Sequence, residues 1–305
     1  MKKDITNVLI CGIGAIGSIY ADKIQQISAV NLKILVDKNR LEKYKNNPII
    51  FNNRQLDFDY VLPCDNNFKA DLVIIATKFD GLNEVVKNLE NFVDENTIIM
   101  SLLNGVTSEK IIGAKYSSDK VLYSYFIGHS AVRDGRTVTH DDVNTVVFGS
   151  SLKNERVDIV RKFFDKVGIN YSIPDDIVRS MWLKYMLNVS CNQVSAVLGF
   201  TFGDLINNRC CMNLLKNVMK EVQYIAKAEG VNGTETMITE AIEQVQTMSP
   251  EGKTSMFQDV LAGRKTEVEM FAGTMIDFGK KHNIPTPYNK ILKEMIDSIY
   301  EKTLI

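Results

Sequence analysis

The spacing of hydrophobic and polar positions changes halfway along the chain. In the first half, short β-branched apolar runs alternate with segments of helical spacing, a pattern typical of parallel βαβ units. It predicts a Rossmann-type, doubly wound sheet. The predicted strands are 7–11, 32–36, 72–77, 97–102, 121–127 and 145–149, and helical spacing occupies 15–27 and 80–91 among the segments between them.

The second half has no convincing strand. Three long helical stretches occupy 177–198, 208–229 and 266–282. Pro174 and the acidic residues after it suit a stop and a restart of regular structure. We therefore expect an α/β protein, with a dinucleotide-binding domain at 1–174 and an all-helical substrate and dimerisation domain at 175–305.

Charge and composition narrow the class of partner. The 305 residues hold 36 Lys and Arg against 37 Asp and Glu, so no net field favours nucleic acid or an anionic membrane. No apolar run approaches the ~18 residues of a membrane span. Five cysteines without C-x-x-C pairing favour a reducing cytoplasm, and His129, His140 and His282 lack metal-site spacing. A small-molecule ligand and no metal site are expected.

Near the N-terminus, Lys2 and Lys3 precede an apolar run, as in a signal peptide. Asp4 and three glycines within that run argue against this interpretation. The same residues fit a strand, a turn and a helix better. This supports the expectation of a cytoplasmic protein.

The first candidate site is a glycine-rich loop between an apolar strand and a helical pattern. Gly12 would permit the tight turn, Gly14 would let a pyrophosphate approach the backbone, and Gly17 would allow close packing of helix on strand. The helix N-terminus would supply N–H groups and a positive dipole end. This predicts a dinucleotide loop formed by Gly12, Ile13, Gly14, Ala15, Ile16 and Gly17.

The residues after the second strand give conflicting signals about the cofactor. Asp37 lies about twenty residues after Gly17, where an acidic side chain binds the ribose 2′-hydroxyl of NAD. Lys38 and Arg40 could instead neutralise the 2′-phosphate of NADP, or form an ordinary solvated turn. Both cofactors stay open at this point.

The second candidate site is a polar stripe on an apolar helix. Lys184, Asn188 and Asn192 recur every four residues, so they share one slowly drifting helix face. They could form a solvent-exposed face, but Lys184 is the only charge between residues 181 and 203. A lysine in a partly dry environment can have a lowered pKa, as suits a general acid or base.

A third cluster occupies residues 253–270. Thr266 and Glu269 have the spacing of a capping box, which predicts a helix start with Glu267 in its first turn and ionised. Gly263 should interrupt the preceding helix, so periodicity does not place Ser255 and Glu267 on one face. Without other information, these residues could equally be ordinary caps and surface positions.

Taken together, these segments resemble the ketopantoate reductase (2-dehydropantoate 2-reductase) family over nearly the whole chain. The similar segments, in order, are GIGAIGS (12–18), DLVIIATKFD (71–80), LLNGV (102–106), WLKYMLNVSCNQVSAV (182–197) and KTSMFQDVLAGRKTEVE (253–269). Five motifs in the family's order are far more specific than the glycine loop alone.

The resemblance implies NADPH-dependent reduction of ketopantoate to D-pantoate in coenzyme A biosynthesis. Lys184 would be the proton donor, and Glu267 would bind near the substrate hydroxyl. Lys78 would lie near the nicotinamide. The other positions would hold the substrate, with Asn104 also near the cofactor: Asn104, Asn188, Asn192 and Ser255.

Several departures keep alternatives open. The family commonly has Arg after the second strand where this chain reads Asp37-Lys38, it has Gln where this chain has Leu103, and some relatives carry a further Asn near 199–203. The first alternative is an enzyme of the same architecture that reduces another branched 2-keto acid or acts as an NAD-dependent D-2-hydroxyacid dehydrogenase. The second is a non-catalytic dinucleotide sensor. A homodimer is expected, with 210–219 offering either an apolar dimer face or part of an internal core.

Overall fold

A computed structural model describes residues 4–128, 131–140 and 144–304. The lysines of the signal-peptide alternative and His129 lie outside the described residues. The chain divides into two compact units after Ile177, a few residues beyond the predicted domain boundary.

The first unit contains both sheets of the structure. Its strands are β1 (Asn7–Cys11), β2 (Asn31–Leu35), β3 (Ile50–Phe51), β4 (Arg54–Gln55), β5 (Tyr60–Val61), β6 (Leu72–Ile75), β7 (Ile98–Ser101), β8 (Val121–Gly128), β9 (Val132–Asp134), β10 (Thr137–Thr139), β11 (Asn144–Gly149) and β12 (Tyr171–Ser172). Its α-helices are α1 (Ala15–Gln25), α2 (Lys38–Asn46), α3 (Leu82–Asn88), α4 (Ser108–Tyr116) and α5 (Glu155–Val167).

The main sheet has eight strands in the order β12-β11-β8-β7-β6-β1-β2-β5. The pairs from β8 through β5 are all parallel, and β11 runs antiparallel to β8. The chain order reverses on either side of β1, which creates the switch point where doubly wound sheets bind their ligands. The predicted Rossmann-type sheet is confirmed.

Alternate residues of β1 enter two different cores. Val8 and Ile10 pack into one hydrophobic cluster, and Leu9 and Cys11 pack into another. Both faces of the sheet are therefore covered, which explains why β1 is a continuous apolar run.

A second sheet, in the order β4-β3-β10-β9, was not predicted from the sequence. Its strands are only two or three residues long, so they have too few positions to show a period of two.

In the second unit, the described residues form helices joined by loops, without a strand. Its α-helices are α6 (Ile177–Leu187), α7 (Gln193–Leu198), α8 (Phe202–Asn207), α9 (Arg209–Ala228), α10 (Met237–Gln246), α11 (Ser255–Leu261), α12 (Thr274–His282) and α13 (Pro287–Lys302). Asn188–Asn192, here called the first π segment, joins α6 to α7. Glu269–Gly273, here called the second π segment, leads into α12. The predicted all-helical second half is confirmed.

The predicted dimer face on α9 serves the unit's own core. Cys211, Leu215, Val218 and Met219 are all buried there. Of the two roles left open for this segment, the structure supports the internal one.

All five cysteines carry free thiols. Within the described ranges, no group of His, Cys, Asp and Glu has the arrangement of a metal site. None of the described helices is both long and apolar enough to span a membrane.

Candidate functional site

The absence of a side chain matters for a different geometric reason at each of the three loop glycines. Gly12 has φ +95°, and a Cβ there would lie 2.8 Å from the carbonyl oxygen of Ala76, after β6. A Cβ on Gly17 would lie 1.9 Å from the carbonyl oxygen of Gly12, so helix and turn touch at the backbone. A Cβ on Gly14 would meet no atom within 4 Å, which leaves this side of the loop open for a ligand.

The N-terminus of α1 suits an anion. Gly14 is the N-cap, and among the described residues no side chain caps it and no acidic residue occupies the first turn. The first N–H groups of a helix lack intrahelical partners, and the dipole favours negative charge there. The loop from Gly12 to Gly17 therefore fits a dinucleotide pyrophosphate.

Lys78 and Asn104 occupy the same edge of the sheet as the glycine loop. β6 pairs in parallel with both β1 and β7, so the loops that follow these three strands leave the sheet on one side. Lys78 follows β6 and is exposed, and Asn104 follows β7 and is half-buried.

Asp37 is the N-cap of α2. Its carboxylate accepts a hydrogen bond from the Arg40 N–H at 2.7 Å and lies 3.2 Å from the Arg40 guanidinium. Lys38 begins the helix. A carboxylate that is paired with Arg40 is therefore held just after β2.

Sequence reasoning missed Arg133. This residue lies on β9, donates a hydrogen bond to the carbonyl oxygen of Ile13 in the glycine loop, and lies 5.8 Å from the ring of Tyr44. No motif marks it, because the fold brings it to the loop across 120 positions of sequence.

In the second unit, the lysine and asparagine stripe passes through the first π segment. Four residues of α-helix overshoot a full turn by about 40°, whereas a π turn with roughly 4.4 residues falls short of one. For ideal turns the two deviations nearly cancel between Lys184 and Asn192, whereas Asn188 lies about 40° to one side of them. A continuous α-helix would let the stripe drift by about 80°.

Side chains donate hydrogen bonds to backbone carbonyls along this wider turn. Ser190 Oγ donates to the Met186 carbonyl at 2.7 Å, and Gln193 Nε2 donates to the Val189 carbonyl at 2.6 Å. Gln193 Nε2 also lies 3.0 Å from Asn289 Oδ1 on α13. The π geometry thus has specific partners within the unit.

The structure brings Ser255 to the stripe, which periodicity alone did not place there. Asn192 Nδ2 donates to Ser255 Oγ at 3.3 Å. Thr254 caps α11 and hydrogen-bonds Ser195 Oγ at 3.2 Å, which holds the start of α11 against α7. Asn192 is buried and Ser255 is exposed, so the pair reaches from the core to the surface.

Lys184 and Glu267 form the charged part of the site. Burial lowers the pKa of Lys184 to about 8, and the Glu267 carboxylate opposes this shift. Both residues are partly exposed. A lysine with this pKa can hold and release a proton near neutral pH, as a general acid must.

The predicted capping box is wrong. Helical geometry begins at Val268, and the Glu269 carboxylate lies 2.6 Å from Lys293 Nζ on α13. The backbone oxygen of Glu267 accepts hydrogen bonds from the N–H groups of Met270 and Phe271 instead. Glu267 therefore sits at the entrance to the second π segment.

Sequence profiles of one family match both units. The profile described as "Ketopantoate reductase PanE/ApbA" matches residues 8–153. The profile described as "Ketopantoate reductase PanE/ApbA C terminal" matches residues 176–300. A 2-dehydropantoate 2-reductase of Aquifex aeolicus is 26% identical over 300 residues, which are 96% of each chain.

Solved structures show the same fold. A ternary structure of D-mandelate dehydrogenase with NADH and anilino(oxo)acetate has a TM-score of 0.83 at 20% identity, covering 98% of this chain and 100% of that one. A dimeric ketopantoate reductase from Staphylococcus aureus has a TM-score of 0.73 at 22% identity, covering 97% and 99%.

Proposed function

Because the chain belongs to the ketopantoate reductase family, and is thus an NAD(P)-dependent oxidoreductase, we propose that it reduces ketopantoate to D-pantoate with NADPH. The observation that carries this proposal is Lys184, a partly buried lysine with a pKa near 8, accompanied by Glu267 and by the Asn192–Ser255 pair. Family membership makes the non-catalytic sensor alternative wrong.

The bound nicotinamide would supply the hydride. Lys184 acts on the ketone oxygen, where negative charge develops, first by electrostatic stabilisation and then by donating its proton. The lowered pKa of Lys184 eases this transfer near neutral pH. General acid catalysis of this kind is typically worth ~10²- to 10⁴-fold in rate.

The remaining side chains orient the substrate. Asn188, Asn192 and Ser255 hold the keto acid, and the hydrogen bond from Asn192 to Ser255 fixes these two side chains relative to each other. Glu267 accepts a hydrogen bond from the substrate hydroxyl. Holding the carbonyl near its reactive geometry lowers the entropic part of the barrier. Lys78 and Asn104 act beside the nicotinamide.

The test compares Lys184→Ala with the wild type and with Lys227→Ala, an exposed lysine of α9. We expect the first change to lower kcat by at least ~10²-fold and the second to leave it unchanged. In the wild type, the rate of reduction should fall by about tenfold per pH unit above 8, because the fraction of Lys184 that carries a proton falls by that factor. Near-normal turnover by Lys184→Ala would remove the lysine from the mechanism.

An NAD-dependent D-2-hydroxyacid dehydrogenase is the second candidate. Asp37 supports it, because a carboxylate held at the end of β2 disfavours a 2′-phosphate. The resemblance to a D-mandelate dehydrogenase crystallised with NADH supports the same candidate. Ketopantoate, 2-ketoisovalerate and benzoylformate should each be assayed with NADPH and NADH. The first candidate fails if ketopantoate with NADPH does not give the highest kcat/KM.

We also propose a homodimer. Ile291 and Met295, one turn apart on α13, are 56% and 44% exposed, and the S. aureus relative is described as dimeric. Ile291→Asp should shift the mass measured by light scattering from dimer to monomer. A wild-type monomer at micromolar concentration would rule this out.

A further inference from the structure

Tyr185 directly follows Lys184 and is only 1% exposed. Its hydroxyl lies 2.9 Å from the Phe271 carbonyl oxygen and 3.3 Å from that of Met270. Both carbonyls belong to the second π segment. Tyr185, the residue after the proposed proton donor, therefore hydrogen-bonds the segment that begins two residues after Glu267.

The two carbonyls are buried acceptors for this hydroxyl. Met270 and Phe271 are each 1% exposed, so their backbone groups have little access to water. The i→i+5 pattern of a π turn removes carbonyls from the regular α-helical ladder. Loss of a hydrogen bond at a buried acceptor destabilises the folded state, so the Tyr185 hydroxyl favours this backbone geometry.

The same two residues are also bonded to Glu267. The N–H groups of Met270 and Phe271 donate to the Glu267 carbonyl oxygen at 3.0 and 3.2 Å. The carbonyl oxygens of Met270 and Phe271 thus accept from the Tyr185 hydroxyl, and the N–H groups of the same residues donate to the Glu267 backbone. A continuous path of hydrogen bonds runs from the residue beside Lys184 to Glu267.

We propose that Tyr185 is a positioning residue: its hydroxyl fixes the Glu267 backbone relative to the helical turn that carries Lys184. This inference rests on the proposed function, in which Lys184 and Glu267 share one substrate. Tyr185 itself touches no reacting atom in this scheme and acts through Glu267.

Two features make the hydroxyl separable from the ring. Burial raises the pKa of Tyr185 far above its usual range, so the hydroxyl stays a proton donor across the working pH range. The ring packs against Trp182, with centroids 5.7 Å apart, and against Phe271, at 6.4 Å. Tyr185→Phe keeps these ring contacts and removes the hydroxyl, with its hydrogen bonds to the Met270 and Phe271 carbonyls and to the Thr274 side chain.

The experiment measures the titration of Lys184 by NMR of ¹³C-labelled lysine, with the signal assigned by its loss in Lys184→Met. Among the described residues, Glu267 is the ionisable neighbour that raises the pKa of Lys184. If Glu267 moves away, Lys184 should titrate at lower pH, by about half a unit or more. We expect this in Tyr185→Phe, together with a three- to tenfold lower kcat.

The matched control is Tyr116→Phe, which removes a tyrosine hydroxyl that donates to the Val86 carbonyl in the first unit. It should leave the Lys184 titration unchanged. A second comparison adds Glu267→Gln, in which Tyr185→Phe should cause no further shift, because the charge it positions is gone. Equal shifts in both backgrounds, or no shift in Tyr185→Phe, would overturn the proposal.

The NMR readout also separates this inference from the proposed function. If Lys184 is not the proton donor, the pH profile of kcat/KM will not follow its titration in any variant. The effect of Tyr185→Phe on that titration would still decide the positioning role.

Discussion

Lys184 should weaken the fold that carries it. Its pKa falls from 10.5 to about 8 on folding because burial disfavours the charged form. We therefore predict that Lys184→Met, which removes the charge and keeps an unbranched apolar chain, stabilises the helical unit near neutral pH while abolishing reduction.

The size of the effect follows from linkage. Below pH 8 both the folded and the unfolded chain carry the charge, and the folded state bears the full penalty, about 3 kcal/mol at pH 7. As pH rises from 8 toward 10.5, the folded state is neutral while the unfolded state still binds the proton, so wild-type stability increases. The remaining penalty at pH 10 is about 1 kcal/mol.

The chain offers a local probe for this measurement. Trp182 is the only tryptophan, is buried, and lies two residues before Lys184, so its fluorescence reports unfolding of the second unit. Urea titrations of wild type and Lys184→Met at pH 7 and pH 10 give the difference in free energy of unfolding. We expect this difference to be larger at pH 7 by about 2 kcal/mol.

Comparing one pair of proteins at two pH values cancels the change in packing from Lys to Met. A difference that is equal at pH 7 and pH 10 would show that the lysine has an ordinary pKa in the folded state. That result would also remove the reason for which Lys184 suits proton transfer near neutral pH.

Four further predictions test other parts of the chain. Gly17→Ala should lower the melting temperature, because the new Cβ would meet a backbone oxygen. Gly14→Ala should leave the melting temperature unchanged, but it should weaken dinucleotide binding, measured by calorimetry, by at least about tenfold. Asp37→Ala should raise kcat/KM with NADPH relative to NADH, since a charge near the 2′-position is removed. Ser255→Ala should mainly raise KM for the keto acid in steady-state kinetics. Glu109→Gln should raise the melting temperature at pH 8 but not at pH 4. Burial raises the pKa of Glu109 to about 7, so the wild-type carboxyl group becomes charged as the pH rises and destabilises the folded state.

The glycine loop and the elements around it in the first unit could be predicted well because their signals are local. β1 is found at the predicted residues, and the roles expected of Gly12 and Gly17 match their φ angle and close contacts. Strand, turn and helix are neighbours in sequence there, so a short window contains most of the constraints. Arg133 escaped prediction for the opposite reason, since its partner Ile13 is remote in sequence.

The second half could be predicted in class but not in detail. The long helical stretch at 177–198 was found, yet α13 was missed and the Thr266–Glu269 capping box was wrong. Glu269 had the right spacing for the box, but Lys293 on α13 offered an ion pair. A local pattern fails where a residue distant in sequence provides the better partner.

The two π segments show most clearly what periodicity cannot supply. The recurrence of Lys184, Asn188 and Asn192 every four residues suggested a shared face, but a regular α-helix would let that face drift. The wider turn that corrects the drift depends on side-chain donors such as Ser190 and Gln193, the latter anchored on α13. The stripe was therefore a correct pattern for an incomplete reason: its alignment is a tertiary property. Gln193→Ala, which lies outside the proposed substrate set, should then disturb the relation between Asn192 and Ser255 and raise KM for the keto acid in steady-state kinetics.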